Sequence, residues 1–272
     1  GWISSILFFI LLLKRIQGVK VVIDIPTPLV IALKEVDYAE KTKGRKLVSK
    51  FSFLFTGSWV LWPAHRVIQY ADEGKWFSFG VRNKTIKMGN GINIDPSMPL
   101  INPACRASGL NLIGVAQLAG WHGYDRLINA IYLSKKREPN INVSLKIVGD
   151  GTALPKLKEL VADLRLDKEV IFTGLLYGKE LDKAFEDVHV AVSSLGLYRK
   201  GLHEASDLKT REYMARGICV IGVGKDPDFP DDSPYRFLVP NNDSIEELAE
   251  LIFKLNKMHL PEPGEVRSYA VE

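Results

Sequence analysis

The sequence predicts an α/β protein with two units, of which the second is a doubly wound parallel sheet. Short apolar segments of strand length alternate with amphipathic segments of helical length along most of the chain. Proline and glycine interrupt this alternation at GNGINIDPSMPLINP, residues 89–103. Strands separated by helices pair in parallel through right-handed crossovers, so we expect helices on both faces of the second sheet.

The first unit begins with GWISSILFFILLLKRI, residues 1–16. Its apolar run, Ile6 to Leu13, is too short to cross a bilayer, which needs about 20 residues. Lys14 and Arg15 follow the run, whereas a signal peptide carries its charges in front of it. We therefore expect a core helix that leads into a buried strand. Strands of this unit are expected at residues 19–25, 65–70 and 85–88.

The second unit contains six segments of strand character and five of helical character. The strands are expected at residues 110–118, 142–150, 169–174, 188–194, 218–223 and 236–240. The helices are expected near residues 123–137, 153–165, 178–186, 207–216 and 244–257. We predict a partial N-terminal, Rossmann-like domain over 1–95, a linker over 96–109, a C-terminal domain over 110–260 and the start of a crossover helix over 261–272.

The composition is that of an ordinary globular protein, with 46% apolar and 25% charged residues and a formal net charge of +4. Its two cysteines, Cys105 and Cys219, lie far apart and form no CxxC pair, so neither a disulfide framework nor a zinc site is indicated. The five histidines are equally scattered. We expect no metal and no cofactor, and the cysteine content fits the reducing cytoplasm.

A basic run, KTKGRKLVSK at residues 41–50, carries much of the positive charge. A solvated helix face is the favoured interpretation. The alternative is peripheral contact with anionic lipid at the inner face of the membrane, where each basic residue contributes about 1 kcal/mol. Nucleic acid is not expected as a partner, because no aromatic residues are interleaved with the charges.

Glycines mark the ends of the predicted strands in the second unit. Gly149 and Gly151 follow the second strand, and Gly174 ends the third. Ligands bind at the carboxyl ends of the strands in a doubly wound sheet. A single glycine after a strand is weak evidence, because tight turns need it regardless of ligand. Their clustering at one edge of the sheet indicates a binding site there.

The segment EASDLKTRE, residues 204–212, follows the fourth of these strands. Ser206 or Asp207 can cap a helix that runs to Arg216, and Gly217 can stop it. The helix start, with its free N–H groups and Lys209, is suited to bind a diphosphate. A carboxylate one turn inside, at Glu212, can accept two hydrogen bonds from a ribose diol, while Glu204 can reach a sugar beyond the phosphates.

The same residues also have a purely structural interpretation. Glu204 would then be a surface loop residue, Lys209 and Arg211 would form a solvated helix face, and Glu212 would pair with Arg216 at i+4. The location of the segment, between a strand of a doubly wound sheet and the start of its helix, favours the binding interpretation.

Several motifs in order resemble the retaining GT-B glycosyltransferases of the family-4 type, the group 1 glycosyl transferases, and especially bacterial enzymes of surface-polysaccharide biosynthesis. The motifs are NGINID (90–95), GWHGYDRLINAI (120–131), LKIVGDG (145–151), VIFTGLL (170–176) and GLYRKGLHEASDLKTREYMARG (196–217). The resemblance covers the second unit almost entirely and the first only in its latter half, so we expect the start of the N-terminal domain to be lacking. It implies a nucleotide-sugar donor held by the C-terminal domain, a saccharide or lipid-linked acceptor, no obligatory metal and retention of configuration.

The family's pair of glutamates eight positions apart matches Glu204 and Glu212, which implies that Glu204 contacts the donor sugar and Glu212 the nucleotide ribose. From this match and from the positions of residues at strand ends and at the helix start, we expect the following roles. The catalytic residues are expected to be Glu204 and Lys209. Nucleotide contacts are expected from Glu212, Gly149, Gly151, Gly174, Leu175 and Thr210, and contacts to the donor sugar or phosphate from His122, Arg199, His203 and Ser206. Gln117 and His122 lie where many relatives carry an arginine and a lysine that bind the diphosphate. For His122, a plain role at a helix start is an equal alternative.

The family is thought to let the leaving diphosphate assist removal of the acceptor proton, so we expect catalysis by electrostatic stabilisation and orientation. Glu204 as a covalent nucleophile is the less favoured alternative. Two other functions stay open: nucleotide-sugar epimerisation, which acts on the donor without an acceptor, and a nucleotide-binding module without turnover by itself. A nicotinamide oxidoreductase is disfavoured, because neither GVAQLAG nor GDGTAL completes GxGxxG.

Overall fold

The computed structural model describes residues 2–25, 44, 47–48, 51, 58–70, 81–94, 98–101 and 109–271. The chain forms two compact units, Gly1–Asn90 and Gly91–Glu272. Most of the basic run at 41–50, most of the predicted linker and Cys105 lie outside the described residues. The predicted domain boundaries, and the acceptor-side role of the first unit, stay predictions.

The first unit contains a helix, α1 (Trp2–Ile16), and three short strands, β1 (Val22–Ile25), β2 (Arg66–Gln69) and β3 (Thr85–Lys87). The strands pair in parallel in the order β1-β2-β3. All three strands lie where the sequence predicted them. Its core is a small cluster of buried residues, formed by Leu61, Ala64, Val67 and Val81.

The prediction that α1 is a core helix feeding a buried strand is wrong. Among the described side chains of α1, only Leu11 is buried. The large apolar side chains Ile6, Leu7, Phe9, Ile10, Leu13 and Ile16 are exposed. The burial of β1 alternates between exposed and half-buried residues. No helix in the described part of the chain is long and apolar enough to span a bilayer.

The second unit is a six-stranded parallel sheet with helices on both faces. Its strands are β4 (Leu110–Val115), β5 (Val143–Val148), β6 (Val170–Gly174), β7 (Val190–Val192), β8 (Cys219–Gly222) and β9 (Arg236–Leu238). Its α-helices are α2 (Tyr124–Arg137), α3 (Leu154–Asp163), α4 (Lys179–Phe185), α5 (Leu208–Ala215), α6 (Glu246–Lys257) and α7 (Pro263–Val271). Every neighbouring pair is parallel, as a doubly wound sheet requires. The predicted α/β fold class is confirmed.

Two buried clusters hold this sheet between its helices. On one face, apolar residues of α2, α3 and α6 such as Leu127, Leu157 and Leu248 pack on the strands. On the other face, residues of α4, α5 and α7 such as Phe185, Tyr213 and Val266 do the same. Strand residues at alternate positions supply both faces, which is why β8 is buried along its whole length. Each large apolar side chain buried in this way contributes about 1.5–3 kcal/mol.

The strand order, β6-β5-β4-β7-β8-β9, places the functional edge of the sheet. Strands β5 and β6 follow β4 on one side of the sheet, and strands β7, β8 and β9 follow it on the other side. The connections therefore diverge between β4 and β7, which leaves a crevice outside the carboxyl ends of these two strands. The segments that leave β4 and β7 both carry residues singled out in the sequence.

Candidate functional site

The helix α5 begins and ends where the sequence predicted. Asp207 is its N-cap residue, with extended backbone at φ −73° and ψ 121°. Arg216 is its C-cap residue, and Gly217 follows at φ +81°. The Asp207 side chain makes no capping hydrogen bond, however. Its Oδ2 atom instead accepts a 2.8 Å hydrogen bond from the Ser193 hydroxyl, at the end of β7.

Asp207 is the centre of a buried polar network between β7 and α5. The Thr210 hydroxyl donates a 3.0 Å hydrogen bond to the Ser193 hydroxyl oxygen, so Thr210, predicted to bind nucleotide, faces the interior. Burial by itself would raise the pKa of the Asp207 carboxyl. The charge of Lys209 and hydrogen bonds from Ser193 and Ser194 outweigh burial and lower this pKa below its ordinary value. The network therefore holds a buried carboxylate in its charged form.

Lys209, in the first turn of α5, carries a buried ammonium group. Its Nζ atom has no hydrogen-bond partner among the described residues. Burial lowers the pKa of Lys209, and the charge of Lys200 adds to this, while Asp207 opposes it. A buried ammonium without an acceptor is costly, and an anionic ligand would relieve that cost. Such perturbed groups occur preferentially at functional sites.

His122 lies in a 3₁₀ turn, Gly120–His122, that follows β4. Its Nδ1 atom accepts a 3.1 Å hydrogen bond from the backbone N–H of Ala119. Its ring stacks on that of Tyr124, with 5.9 Å between the ring centroids. Burial, and then the charge of Lys209, lower the pKa of His122 to about 3. The imidazole is therefore neutral at neutral pH and is electrostatically coupled to Lys209.

Two further residues of this site, Lys200 and Trp121, escaped the sequence analysis. The Lys200 ammonium lies 3.8 Å from the centroid of the Trp121 ring, in a cation–π contact. Lys200 is buried, and its charge contributes to the lowered pKa values of both His122 and Lys209. Nothing in the spacing of Lys200 distinguishes it from a surface lysine. Its role follows only from the approach of two loops that are distant in sequence.

Arg199, predicted to contact donor sugar or phosphate, has its guanidinium group occupied by protein. It forms two 2.8 Å hydrogen bonds to the Asp125 carboxylate. It also donates to the Gly120 carbonyl and, over 3.1 Å, to the Tyr198 hydroxyl. The hydrogen bonds to Asp125 raise the pKa of Arg199, against the effect of burial. Arg199 therefore connects the loop after β7 with the turn after β4. Its predicted contact with a ligand stays a prediction.

Glu204 lies on a short extended segment that is fixed at its backbone. It forms a parallel β-bridge with Lys225. Lys225 donates a 2.9 Å hydrogen bond to the His203 carbonyl, and Ala205 donates a 3.0 Å hydrogen bond to the Lys225 carbonyl. The His203 side chain is exposed, whereas Ser206 is buried. Glu204 is half-buried, so the interpretation of it as a plain surface residue does not describe its surroundings.

Glu212 lies one turn inside α5, and its side chain is 39% exposed. One of its oxygens is 3.4 Å from Arg216, the i+4 pair that the structural interpretation predicted. Arg216 makes a shorter contact, 2.7 Å, with Asp182 of α4. Arg216 is buried, but the Glu212 side chain is partly exposed and its contact with Arg216 is long, so Glu212 is accessible to a ligand. The alternative interpretation of Lys209 and Arg211 as a solvated helix face, which the sequence analysis disfavoured, does not hold, because Arg211 is buried against Asp226.

Gly149 and Gly151 allow two loops to lie against each other at the strand ends. Gly149 has φ +126°, and a Cβ atom there would lie 1.9 Å from the Ala116 carbonyl oxygen. Gly151 has φ +154°, and its Cβ would lie 2.3 Å from the Leu118 carbonyl oxygen. Gly174 has φ +75° with open space around it, and its carbonyl accepts a 2.7 Å hydrogen bond from Gly149. Leu175 beside it is 56% exposed.

Of the predicted residues, Lys209 and His122 lie at the crevice, whereas Arg199, Gly149 and Gly151 shape the loops around it. Lys209 and His122 are electrostatically coupled, together with Asp207 and Lys200. In the described part of the chain, no group of three or more His, Cys, Asp or Glu side chains is arranged to hold a metal ion. The expectation that the site needs no metal and no cofactor stays a prediction.

The parallel sheet, with its helices on both faces and Lys209, Lys200, His122 and Asp207 near its switch point, defines this unit as a doubly wound α/β domain. Residues 110–257 match the family model described as Glycosyl transferases group 1. Because that match covers more than half of the chain, the chain belongs to this family. No curated protein matches the chain in a sequence search.

Solved structures with the same fold have low sequence identity to this chain. HepE from Anabaena, solved with UDP and glucose, is 15% identical at a TM-score of 0.64, over 98% of this chain and 69% of its own. The lipopolysaccharide outer core galactosyltransferase WaaB is 12% identical at a TM-score of 0.65, over 97% of this chain and 74% of its own. TarM from S. aureus is 18% identical at a TM-score of 0.56, over 82% of this chain. This chain spans 42% of the TarM chain. The predicted GT-B-like fold is confirmed.

Proposed function

We propose that this chain binds a nucleotide-sugar donor, with uridine as its base, and takes part in transfer of the sugar to a saccharide or lipid-linked acceptor with retention of configuration. The observation that carries the proposal is the buried ammonium of Lys209 at the start of α5, which has no hydrogen-bond partner within the described part of the chain. It lies at the switch point of the sheet, where ligands of this fold bind. Membership of the glycosyl transferases group 1 family supports the same conclusion.

The donor diphosphate is the group that best fits the crevice. The N–H groups at the start of α5 and the Lys209 ammonium offer hydrogen bonds and positive charge. Lys200 adds a second buried cation nearby. His122 adds an N–H donor without a charge, because its pKa is about 3. A diphosphate would replace the missing acceptor of Lys209.

The two glutamates are proposed to bind the sugars on either side of the diphosphate. Glu212 is 39% exposed and lies on α5, so its carboxylate can accept hydrogen bonds from a ribose diol. Glu204 is held by its bridge to Lys225 and is proposed to contact the donor sugar. Similar structures solved with UDP and glucose, and with UDP and GlcNAc, support uridine as the base and a hexose as the transferred group.

In the proposed mechanism, the site acts by stabilising the charge that develops on the departing diphosphate. Lys209, Lys200 and the start of α5 are in place before the reaction, so little reorganisation is needed. The bond from the anomeric carbon to the phosphate oxygen breaks, and the acceptor oxygen forms a bond to the same face of that carbon. The departing phosphate oxygen takes the acceptor proton, so no protein nucleophile is required.

A nucleotide-binding module without turnover is the second candidate. The observation in its favour is that all the site residues described above lie in the second unit. It predicts tight binding of the nucleotide with no transfer to any acceptor. Epimerisation of the donor sugar, the third alternative, predicts a changed sugar in the absence of acceptor.

Calorimetric titration with UDP, ADP, GDP and CDP tests the proposal. We expect UDP to bind best and the Glu212→Ala variant to bind it about 10- to 150-fold more weakly, as for loss of charge-assisted hydrogen bonds. Glu159→Ala, at an exposed position of α3, is the matched control and should leave the affinity unchanged. Absence of binding by all four nucleotides would contradict the proposed donor site. Incubation with UDP-glucose, with and without saccharide acceptors, separates the three alternatives.

Peripheral contact with an anionic membrane at the cytoplasmic face is proposed only from the basic run at residues 41–50. Gly44, Leu47 and Val48 are the described residues of this run, and all three are exposed. Sedimentation with phosphatidylserine vesicles and with phosphatidylcholine vesicles tests it. Equal sedimentation with both would contradict an electrostatic contact.

A further inference from the structure

Arg211 and Lys209 are two residues apart on α5, but their surroundings differ completely. The Lys209 ammonium has no hydrogen-bond partner among the described residues. The Arg211 side chain is 7% exposed and donates hydrogen bonds to Asp226, Asp228 and the Asp207 carbonyl. Arg211 is therefore fully engaged by protein and is not available to a ligand.

The pair of Arg211 with Asp226 is bidentate and buried. Two hydrogen bonds of 2.7 Å join the guanidinium group to the two carboxylate oxygens, and the Asp226 side chain is 2% exposed. Asp228 adds a second carboxylate to the same nitrogen, Nη2. The guanidinium also lies 5.1 Å from the centroid of the Phe229 ring. Because the guanidinium group is planar and donates in fixed directions, these contacts hold α5 and the segment 226–229 in one relative position.

Asp226 directly follows the residue that holds Glu204. Lys225 exchanges backbone hydrogen bonds of 2.9 Å and 3.0 Å with His203 and Ala205, on either side of Glu204. Gly224, at φ +75°, permits this approach, since a Cβ atom there would lie 2.8 Å from the His203 carbonyl oxygen. The Glu204 backbone is thus attached to the segment that Arg211 binds.

We propose that Arg211 is a positioning residue that fixes Glu204 relative to Lys209 through Asp226 and Lys225. The proposal rests on the proposed function, in which Glu204 contacts the donor sugar and Lys209 the diphosphate. A closed path joins the two residues: Lys209 and Arg211 share α5, Arg211 binds Asp226, and Lys225 pairs with the Glu204 segment. Without Arg211, the Glu204 segment would lose the side-chain link from α5 to Asp226, and the chain 205–207 would remain as the covalent connection between the two functional groups.

Amide hydrogen exchange of Ala205 and Lys225 tests the structural part independently of any activity. Arg211→Lys keeps the charge but loses the bidentate geometry, and Asp226→Asn weakens the same pair from the other side. We expect both variants to exchange these two amides about tenfold faster or more, as for loss of a charge-assisted hydrogen bond. Arg126→Lys is the matched control, because Arg126 is a buried arginine whose hydrogen bonds go to the Ser244 and Leu195 carbonyls. Unchanged exchange in both test variants would overturn the proposal.

Steady-state rates with UDP-glucose test the functional part. We expect Arg211→Lys and Asp226→Asn to lower kcat about 10- to 100-fold, because small misplacements of catalytic groups have effects of this size. The Kd for UDP should change little. In a Glu204→Gln background, Arg211→Lys should cause little further loss. Full additivity of the two substitutions would overturn the proposal.

The two proposals fail in different ways. If the unsubstituted chain binds no nucleoside diphosphate, the proposed function fails, while the exchange rates still decide whether Arg211 anchors residues 203–205. If UDP binds and the donor turns over, but Arg211→Lys leaves kcat unchanged, the proposed function stands and the positioning role of Arg211 is wrong.

Discussion

The Nδ1 atom of His122 accepts a 3.1 Å hydrogen bond from the backbone N–H of Ala119. A neutral imidazole has one donor and one acceptor nitrogen, so this bond assigns the proton to Nε2. We predict that nitrogen-15 NMR of His122 shows a non-protonated Nδ1 and a protonated Nε2 between pH 5 and pH 8. The exposed His259 serves as the internal reference. Protonation of both His122 nitrogens at neutral pH would contradict the assignment.

Acid should destabilise the protein partly through His122. Its pKa is about 3 in the folded chain and 6.5 as the ordinary value. Between these values the unfolded chain binds the additional proton, so the free energy of unfolding rises with pH and falls as pH is lowered from 6.5 toward 3. We expect a contribution of up to about 1.4 kcal/mol per pH unit. Urea titrations should show a flatter pH dependence for His122→Gln than for the unsubstituted chain, and an equal dependence would contradict this contribution.

Removal of the Lys209 ammonium should weaken phosphate binding selectively. We predict that Lys209→Met binds UDP about 10- to 150-fold more weakly, because a charge-assisted hydrogen bond is lost. The affinity for uridine, which has no phosphate, should change little. Lys156→Met, at an exposed position of α3, is the control and should bind UDP normally. Equal weakening of UDP and uridine would place Lys209 away from the diphosphate.

Glu212 should distinguish ribose from deoxyribose. Its carboxylate is proposed to accept hydrogen bonds from the ribose hydroxyls, so the unsubstituted chain should bind UDP more tightly than 2′-deoxy-UDP. Glu212→Ala should bind the two nucleotides with similar affinity. Its contact with Arg216 is 3.4 Å long and partly exposed, so the variant should lose no more than about 1 kcal/mol of stability. Persistent discrimination in the variant, measured by calorimetry, would assign the ribose to another residue.

Alanine at Gly149 should be far more damaging than alanine at Gly174. The added methyl group at Gly149 meets the Ala116 carbonyl oxygen at 1.9 Å, and its φ is +126°. We expect a loss of about 3 kcal/mol or more from strain and overpacking together. Gly174→Ala has open space and only an unfavourable φ of +75°, so its expected loss is about 1–2 kcal/mol. Thermal unfolding of the two variants gives the comparison, and equal losses would show that the close approach at Gly149 relaxes easily.

Local sequence patterns determined the elements of the second unit and the direction of its sheet. Apolar runs and their spacing predicted all six strands, because residues close in the chain decide between strand and helix periodicity. The same reasoning placed α5 between Asp207 and Gly217. It also predicted that α1 is a helix. The prediction that α1 is buried was wrong, because burial depends on the apolar surface that other segments pack against the helix.

The site itself combines both kinds of information. Position after a strand and at a helix start marked Glu204, Lys209 and Glu212 in the sequence. The opposite roles of Lys209 and Arg211 could not be predicted, since both are basic residues on one helix. Arg211 is paired because the chain returns to α5 at Asp226. The Lys209 ammonium has no hydrogen-bond acceptor among the described residues.

The sequence by itself therefore predicted the fold class and the family, because these follow from periodicity and from motifs short enough to read along the chain. The tertiary structure alone decided which charges are paired and which histidine is neutral. Those properties depend on burial and on side chains that are distant in sequence, such as Lys200 beside Trp121 and Asp207 beside Ser193.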